Sequence, residues 1–309
     1  MLLRRKIRTP QDDKIPKTTV GGAGFIRTPL LTWSELPEWM KDNEYIISGY
    51  RRLIEQQHWK GCFKSVYAYL HNESVNIHSH LWGGALFLYF STTAHSTHLV
   101  HYPIAWIDSV VISVFLVSAT FCLCASAFFH VSTCHSEKVP THCHALDYSG
   151  IVVLTVGSFY PCIYYGFFCE PQFQALYITA ITLVGIAGAA YIVLNPEYAK
   201  PTHRGARTSV FIALGLCAVF PMSHWLIEHG FRTMLDMGLH YLAISGCFYV
   251  AGALLYANRI PERFSPGTFD YFCASHQIFH FFVVFAALAH YKSIIFALDY
   301  AYTRSHCEL

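Results

Sequence analysis

The chain has 309 residues, 54% of them hydrophobic and 13% charged, with a formal net charge of +2. A soluble domain carries about 25% charged residues, and a mean hydropathy of +0.35 argues further for a polytopic membrane protein. The near-neutral charge balance, without a basic stripe interleaved with aromatics, excludes a nucleic-acid partner.

In chain order, residues 1–30 are rich in Lys, Arg, Thr, Pro and Gly, lack periodicity, and read as a disordered cytosolic tail. The opening Met1-Leu2-Leu3-Arg4-Arg5-Lys6 has no apolar run behind it and is not read as a secretory signal. Residues 31–76 mix Trp33, Leu36, Trp39, Ile46 and Leu53 with charges, the pattern of a partly helical segment lying on the membrane face. Seven apolar stretches follow, at 79–98, 104–129, 144–167, 173–194, 207–228, 239–258 and 271–296. Each is near the roughly 20 residues that cross the hydrocarbon core. The first is the weakest, diluted by Ser91-Thr92-Thr93. Pro161 and Pro221 fall inside spans and should kink or break them locally. The expected fold is an all-α, seven-span bundle over 77–298, followed by a short outer tail at 299–309.

Orientation follows from the basic residues. Of 21 Lys and Arg, 18 fall on the side of the N-terminus and 3, Arg232, Lys292 and Arg304, on the other. The positive-inside rule therefore sets the N-terminus in the cytosol and the C-terminus outside, the reverse of G-protein-coupled receptors. The sequon Asn72-Glu73-Ser74 then lies in the cytosol and should stay unmodified. Cys169 and Cys307 both lie outside, where a disulfide between them can form. Most of the other cysteines sit in apolar segments and read as small buried hydrophobes.

With this orientation, His130 closes the second span at the cytosolic side, and His276 and His280 open the seventh at the same side. Asp147 opens the third there as well. Residues four apart share a helix face, so His276 and His280 can bind one ion. Three nitrogen ligands with an open position match a catalytic zinc site. Asp147 is the expected base or ligand-orienting carboxylate, and Ser126, one turn before His130, the expected donor to a water or developing oxyanion. Each of these histidines alone would more ordinarily be a hydrogen-bonded structural residue. Convergence at one depth favours the metal reading, because ionisable groups in membrane spans are functional candidates.

Two other clusters compete. Cys134, His135, His142, Cys143 and His144 in and after the second loop offer thiolate and imidazole ligands for a structural zinc. His95, His98 and His101 in an outer loop offer another set, equally explained as scattered interfacial residues. A metal transporter is disfavoured, since His224 is the only candidate for a second relay deep in the spans.

Taken together, Ser126-Ala127-Phe128-Phe129-His130, Cys134-His135-Ser136-Glu137-Lys138, Leu146-Asp147-Tyr148-Ser149-Gly150 and Ser275-His276-Gln277-Ile278-Phe279-His280 resemble the progestin and adipoQ receptor family, also called haemolysin III-related. Asn43-Glu44-Tyr45-Ile46, Gly49-Tyr50-Arg51, Asn72-Glu73, Asn76-Ile77, His80-Leu81 and Arg259-Ile260-Pro261-Glu262-Arg263-Phe264, with Pro266-Gly267 and Phe269-Asp270, extend the likeness from about residue 31 to 295, the segment from Arg259 to Asp270 and the Ser275–His280 segment resembling the adiponectin-receptor branch in particular. His78 departs from the family pattern, which usually has Trp there. The resemblance implies seven spans with a cytosolic N-terminus. It implies zinc on His130, His276 and His280 with Asp147 beside a water, and ceramidase-like hydrolysis of lipid amides. A fatty-acid product would lie near Tyr148 and Arg207, although Arg207 reads equally well as a positive-inside anchor. Fungal members are linked to lipid and zinc homeostasis and to sensing extracellular proteins. The expected partners are thus a ceramide-like lipid, its fatty-acid product, and an extracellular protein or steroid ligand. The expected location is the plasma membrane or endoplasmic reticulum. The alternative is a non-enzymatic receptor whose zinc is structural.

Overall fold

A computed structural model describes residues 30–53, 58–194, 201–304 and 307. The tail expected over 1–30 lies outside these residues, except for its last position. The described residues are helical, joined by turns, with a single isolated antiparallel bridge between Leu31 and Tyr50. Helix α1 spans Trp59–Ala68, α2 Ser74–Thr97, α3 Trp106–Ser132, α4 Lys138–Gly166 and α5 Pro171–Leu194. Helices α6 Arg204–Leu216, α7 Val219–His229, α8 Phe231–Asp236, α9 Leu239–Asn258 and α10 Ser275–Thr303 complete the chain.

Six helical segments among the described residues are long and apolar enough to cross a membrane: Trp106–Ser132, Lys138–Gly166, Pro171–Tyr191, Arg204–His229, Leu239–Phe264 and Ser275–Thr303. The expected first span, α2, is 24 residues long but is not among them. Its first two turns carry Asn76, His78, Ser79 and His80, and its last turns Ser91, Thr92, Thr93 and His95, so its hydropathy is diluted at both ends. It nevertheless packs against α3 and α10 like a member of the bundle.

Pro161 sits within α4, which continues through it without a break. Pro221 acts as expected. It cannot donate to the carbonyl of Cys217, and the helix is interrupted between Leu216 and Val219. The carbonyl of Cys217 accepts instead from Phe220 N at 3.2 Å.

The core lies between α2, α3, α4 and α10, where Phe87, Phe115, Leu123, Ile294 and Leu298 are fully buried. Outward faces carry exposed apolar side chains such as Trp82, Val117, Leu183, Phe220 and Ile227. That is the distribution expected where the surrounding solvent is lipid. Small residues set the closest approaches: a Cβ on Gly150 of α4 would lie 2.9 Å from Cys122 Cα of α3. A side chain there would push the helix bearing Asp147 away from the helix bearing His130.

The two ends of the bundle are fastened differently. At one end Asp108 is fully buried and accepts from Ala105 N at 2.9 Å, Tyr165 Oη at 3.0 Å and Tyr302 Oη at 2.8 Å. This joins α3, α4 and α10, and beyond α10 a disulfide links Cys169 to Cys307. At the opposite end residues 31–51 cross the mouth of the bundle. Ile47 N and Ser48 N donate to Asp270 at 2.9 and 2.8 Å, and Gly267 N donates to the Tyr45 carbonyl at 3.0 Å. Arg204 pairs with Asp42, and Arg259 with Glu44 at 2.7 Å.

Candidate metal centre

His130 lies in the last turn of α3, and His276 and His280 in the first turns of α10. Antiparallel packing brings these ends together. The ligand-capable atoms of the three histidines lie within 4.8 Å of one another, the only such group of three or more His, Cys, Asp or Glu among the described residues. Tetrahedral zinc with nitrogens at about 2.0–2.1 Å sets those nitrogens about 3.4 Å apart. The cluster is therefore assembled to within about 1.5 Å of a metal-holding geometry.

The placement of α10 begins at its N-terminus. Glu262, fully buried, accepts from Ser275 N at 2.7 Å and from Ser275 Oγ, satisfying a helix-end donor that has no partner within the helix. Asn43 Nδ2 donates to the same carboxylate at 3.0 Å. Gln277 Nε2 donates to the carbonyls of Tyr271 at 3.0 Å and Asn72 at 3.3 Å. The end of α3 is held by Arg51, 2% exposed, which donates to the carbonyls of His130 and Val131 and to Ser65 Oγ and Thr133 Oγ1.

Around the rings the contacts are specific. His130 Nδ1 lies 2.7 Å from Glu73 Oε2, while its Nε2 is buried without a hydrogen-bond partner. His280 Nδ1 lies 3.1 Å from the Asn76 carbonyl, and its ring stacks on His80 at 3.7 Å with planes 10° apart. His276 packs edge-on to both partners, at 4.9 Å from the His130 ring and 4.8 Å from the His280 ring, with Tyr256 on another side. An unpaired buried imidazole nitrogen is costly. Three imidazoles turned together form a soft-to-borderline nitrogen donor set of the kind zinc takes.

Asp147 and Ser126 are both buried, on the packed helices α4 and α3. Next along α4, Tyr148 is buried with its hydroxyl unpartnered, and the Arg207 guanidinium lies 5.1 Å from its ring centre. All seven residues singled out from the sequence thus belong to one region.

The competing clusters do not assemble among the described residues. Cys134 faces Cys62, sulfur to sulfur 3.7 Å, His135 packs on Trp59, and His144 packs on Phe129 and Tyr148. Helix α4 begins at Lys138 and carries His142, Cys143 and His144, while Cys134 and His135 lie in the turn after α3. Of the outer histidines, His98 packs on Tyr291. His224 is half-buried and lies 2.9 Å from Tyr177 Oη. A deeper histidine escaped the sequence reading: His290 is buried, its Nε2 3.0 Å from the Ser158 carbonyl.

Sequence reasoning also missed Glu73, Asn76 and His80 as neighbours of the histidines, and Arg51 and Glu262 as their anchors. The available signal was spacing: Glu73, Asn76 and His80 recur at three and four residues, one helix face.

Residues 68–291 match the family model described as haemolysin-III related. The chain is 38% identical over 272 residues to "Progestin and adipoQ receptor-like protein 1" of Caenorhabditis elegans, covering 87% of this chain and 61% of that protein. It is 36% identical over 278 residues to "Adiponectin receptor protein" of Drosophila melanogaster, covering 90% and 61%. It is 36% identical over 267 residues to "ADIPOR-like receptor IZH2" of Saccharomyces cerevisiae, covering 86% and 83%. The alignments thus span about three fifths of the nematode and fly relatives' length. With a family match over most of the chain and six apolar helices, this is a multi-pass integral membrane protein that belongs to the haemolysin III-related, progestin and adipoQ receptor family, among relatives named adiponectin receptor-like.

Proposed function

We propose that the chain is an adiponectin receptor-like protein that holds one zinc ion on His130, His276 and His280 and hydrolyses ceramide-like lipid amides, acting in lipid and zinc homeostasis signalling. We place α2 as the first of seven spans, with the N-terminus and the histidine end on the cytosolic side. The carrying observation is the buried, unpartnered Nε2 of His130 beside two further histidines within 4.8 Å. The Cys169–Cys307 bond at the opposite end supports the orientation, because disulfides persist in oxidising compartments.

A zinc ion held there supplies polarisation of a carbonyl and acidification of a water. The residues supply the rest. Asp147 takes a proton from the attacking water and returns it to the departing amine as the C–N bond breaks. The products are a fatty acid and a sphingoid base. Ser126 offers a hydroxyl to the water or the developing oxyanion. The Tyr148 hydroxyl and Arg207 are suited to the product carboxylate.

A second reading has its own support. The histidines join α3 to α10, and Glu73 adds the start of α2, so a zinc there can also be a clasp in a receptor for an extracellular protein or steroid. Asp147→Ala separates the two readings. Retained zinc with ceramide turnover lost supports the hydrolase. Retained zinc in a folded protein whose wild type turns over no ceramide removes it and leaves the clasp.

A further inference from the structure

We infer that Glu73 is the positioning residue of the metal centre: its carboxylate fixes the ring and proton of His130, on a platform of α2 that does the same for His280. The inference rests on the metal-centre reading above and deepens it.

A carboxylate oxygen only accepts. With Glu73 Oε2 2.7 Å from His130 Nδ1, the ring proton sits on Nδ1. The lone pair is then left on Nε2, the atom that is buried and unpartnered. Glu73 is itself held in place. Asn76 Nδ2 donates to its Oε2 at 2.7 Å, and Glu73 N donates to His71 Nδ1 at 3.2 Å. The Asn76 backbone carbonyl, 3.1 Å from His280 Nδ1, assigns that ring the same tautomer, and His80 stacked at 3.7 Å fixes its plane. One helix start thereby presents Nε2 lone pairs from two different helices to one point.

Glu73 is more than a hydrogen-bond acceptor for a structural histidine, as the Asn76 carbonyl alone shows that a neutral group can do that. A carboxylate also raises the basicity of the ring it holds, and such partners typically contribute 10–100-fold, in order of magnitude, to metal affinity. The task also accounts for the polar residues in the first turns of α2, Asn76 and His80.

The test is zinc binding by the purified full-length chain in detergent, by competition with a chelator, for wild type, Glu73→Ala and Glu73→Gln. Thermal melting of the metal-free proteins reports the fold. Visible spectra of the cobalt-loaded forms report the ligand field. Glu73→Gln is isosteric and carries the measurement if Glu73→Ala does not fold. The expected result is zinc affinity about 10–100-fold lower in Glu73→Gln, with an altered cobalt spectrum and an unchanged metal-free melting curve. A Glu73→Gln protein with wild-type zinc affinity and cobalt spectrum overturns the inference while leaving the three-histidine centre standing, even if it melts lower. A folded wild type that binds no zinc overturns both.

Discussion

The guanidinium of Arg51, in the segment ahead of the bundle, donates to the backbone carbonyl of His130 at the end of α3. It reaches the Val131 carbonyl, Ser65 Oγ and Thr133 Oγ1 as well, so one buried side chain closes the helix end that carries a candidate ligand. Cations are favoured at helix C-termini. Hydrogen bonds from a charged donor are worth about 1.5–3 kcal/mol each. Arg51→Ala should therefore lower the stability of the purified protein by about 3 kcal/mol or more, read as a drop in melting temperature in detergent. Arg51→Lys should fall between, because an ammonium cannot reproduce the fork. A wild-type melt for Arg51→Ala contradicts this role.

Acid should loosen the same end. His71 is fully buried and accepts from Glu73 N through Nδ1. Burial, with the nearby Arg51 charge, pushes its pKa down from 6.5 to about 3, against a smaller opposing pull from Glu73. Between those values the unfolded chain binds a proton that the folded chain does not. Stability is therefore fully present above about pH 6.5 and falls as the pH drops toward 3. From pH 7 to pH 5 the loss is about 2 kcal/mol. His71→Gln should flatten the melting temperature over this range. A profile as steep as wild type assigns the acid sensitivity elsewhere.

The disulfide tests the orientation. Cys169 and Cys307 should appear as a linked peptide in a non-reducing digest, and Cys307→Ser should lower stability. Closing a loop of this length is worth about 2–5 kcal/mol, and the lower end is expected because a bilayer already restrains the unfolded helices. In sealed membrane vesicles of known orientation a membrane-impermeant reductant should reach the bond only from the face opposite the cytosol. Cleavage from the cytosolic face contradicts a cytosolic N-terminus.

What the sequence revealed about the site, and what it hid, divides by range. The His276/His280 pair is local, one helical turn apart, and reads directly. His130 and Asp147 join it through a charge count that sets which span ends share a depth; the structure brings the three histidines together and buries Asp147 on α4, packed against the helix of His130. Glu73 was hidden because its partner is 57 positions away, and because Asn72-Glu73-Ser74 reads as a sequon. Arg51 was counted only as one of many basic residues on the cytosolic side, though its work is to close a helix 79 positions on. The loop-two cysteines and histidines looked like a ligand set only as long as they were taken for a loop. Once α4 starts at Lys138, helical periodicity turns His142, Cys143 and His144 to different faces, and Cys134 and His135 stay behind in the turn after α3. Part of the weakness of α2 as a span comes from its first turns, where Asn76 and His80 contact His280.

The most direct test of the account is the metal itself. Full-length protein purified without added metal should contain about one zinc per chain, the stoichiometry of a single three-histidine centre with an open position, and His276→Ala should lose most of it while remaining folded. Wild-type zinc content in folded His276→Ala contradicts the centre described here and moves the metal to other ligands.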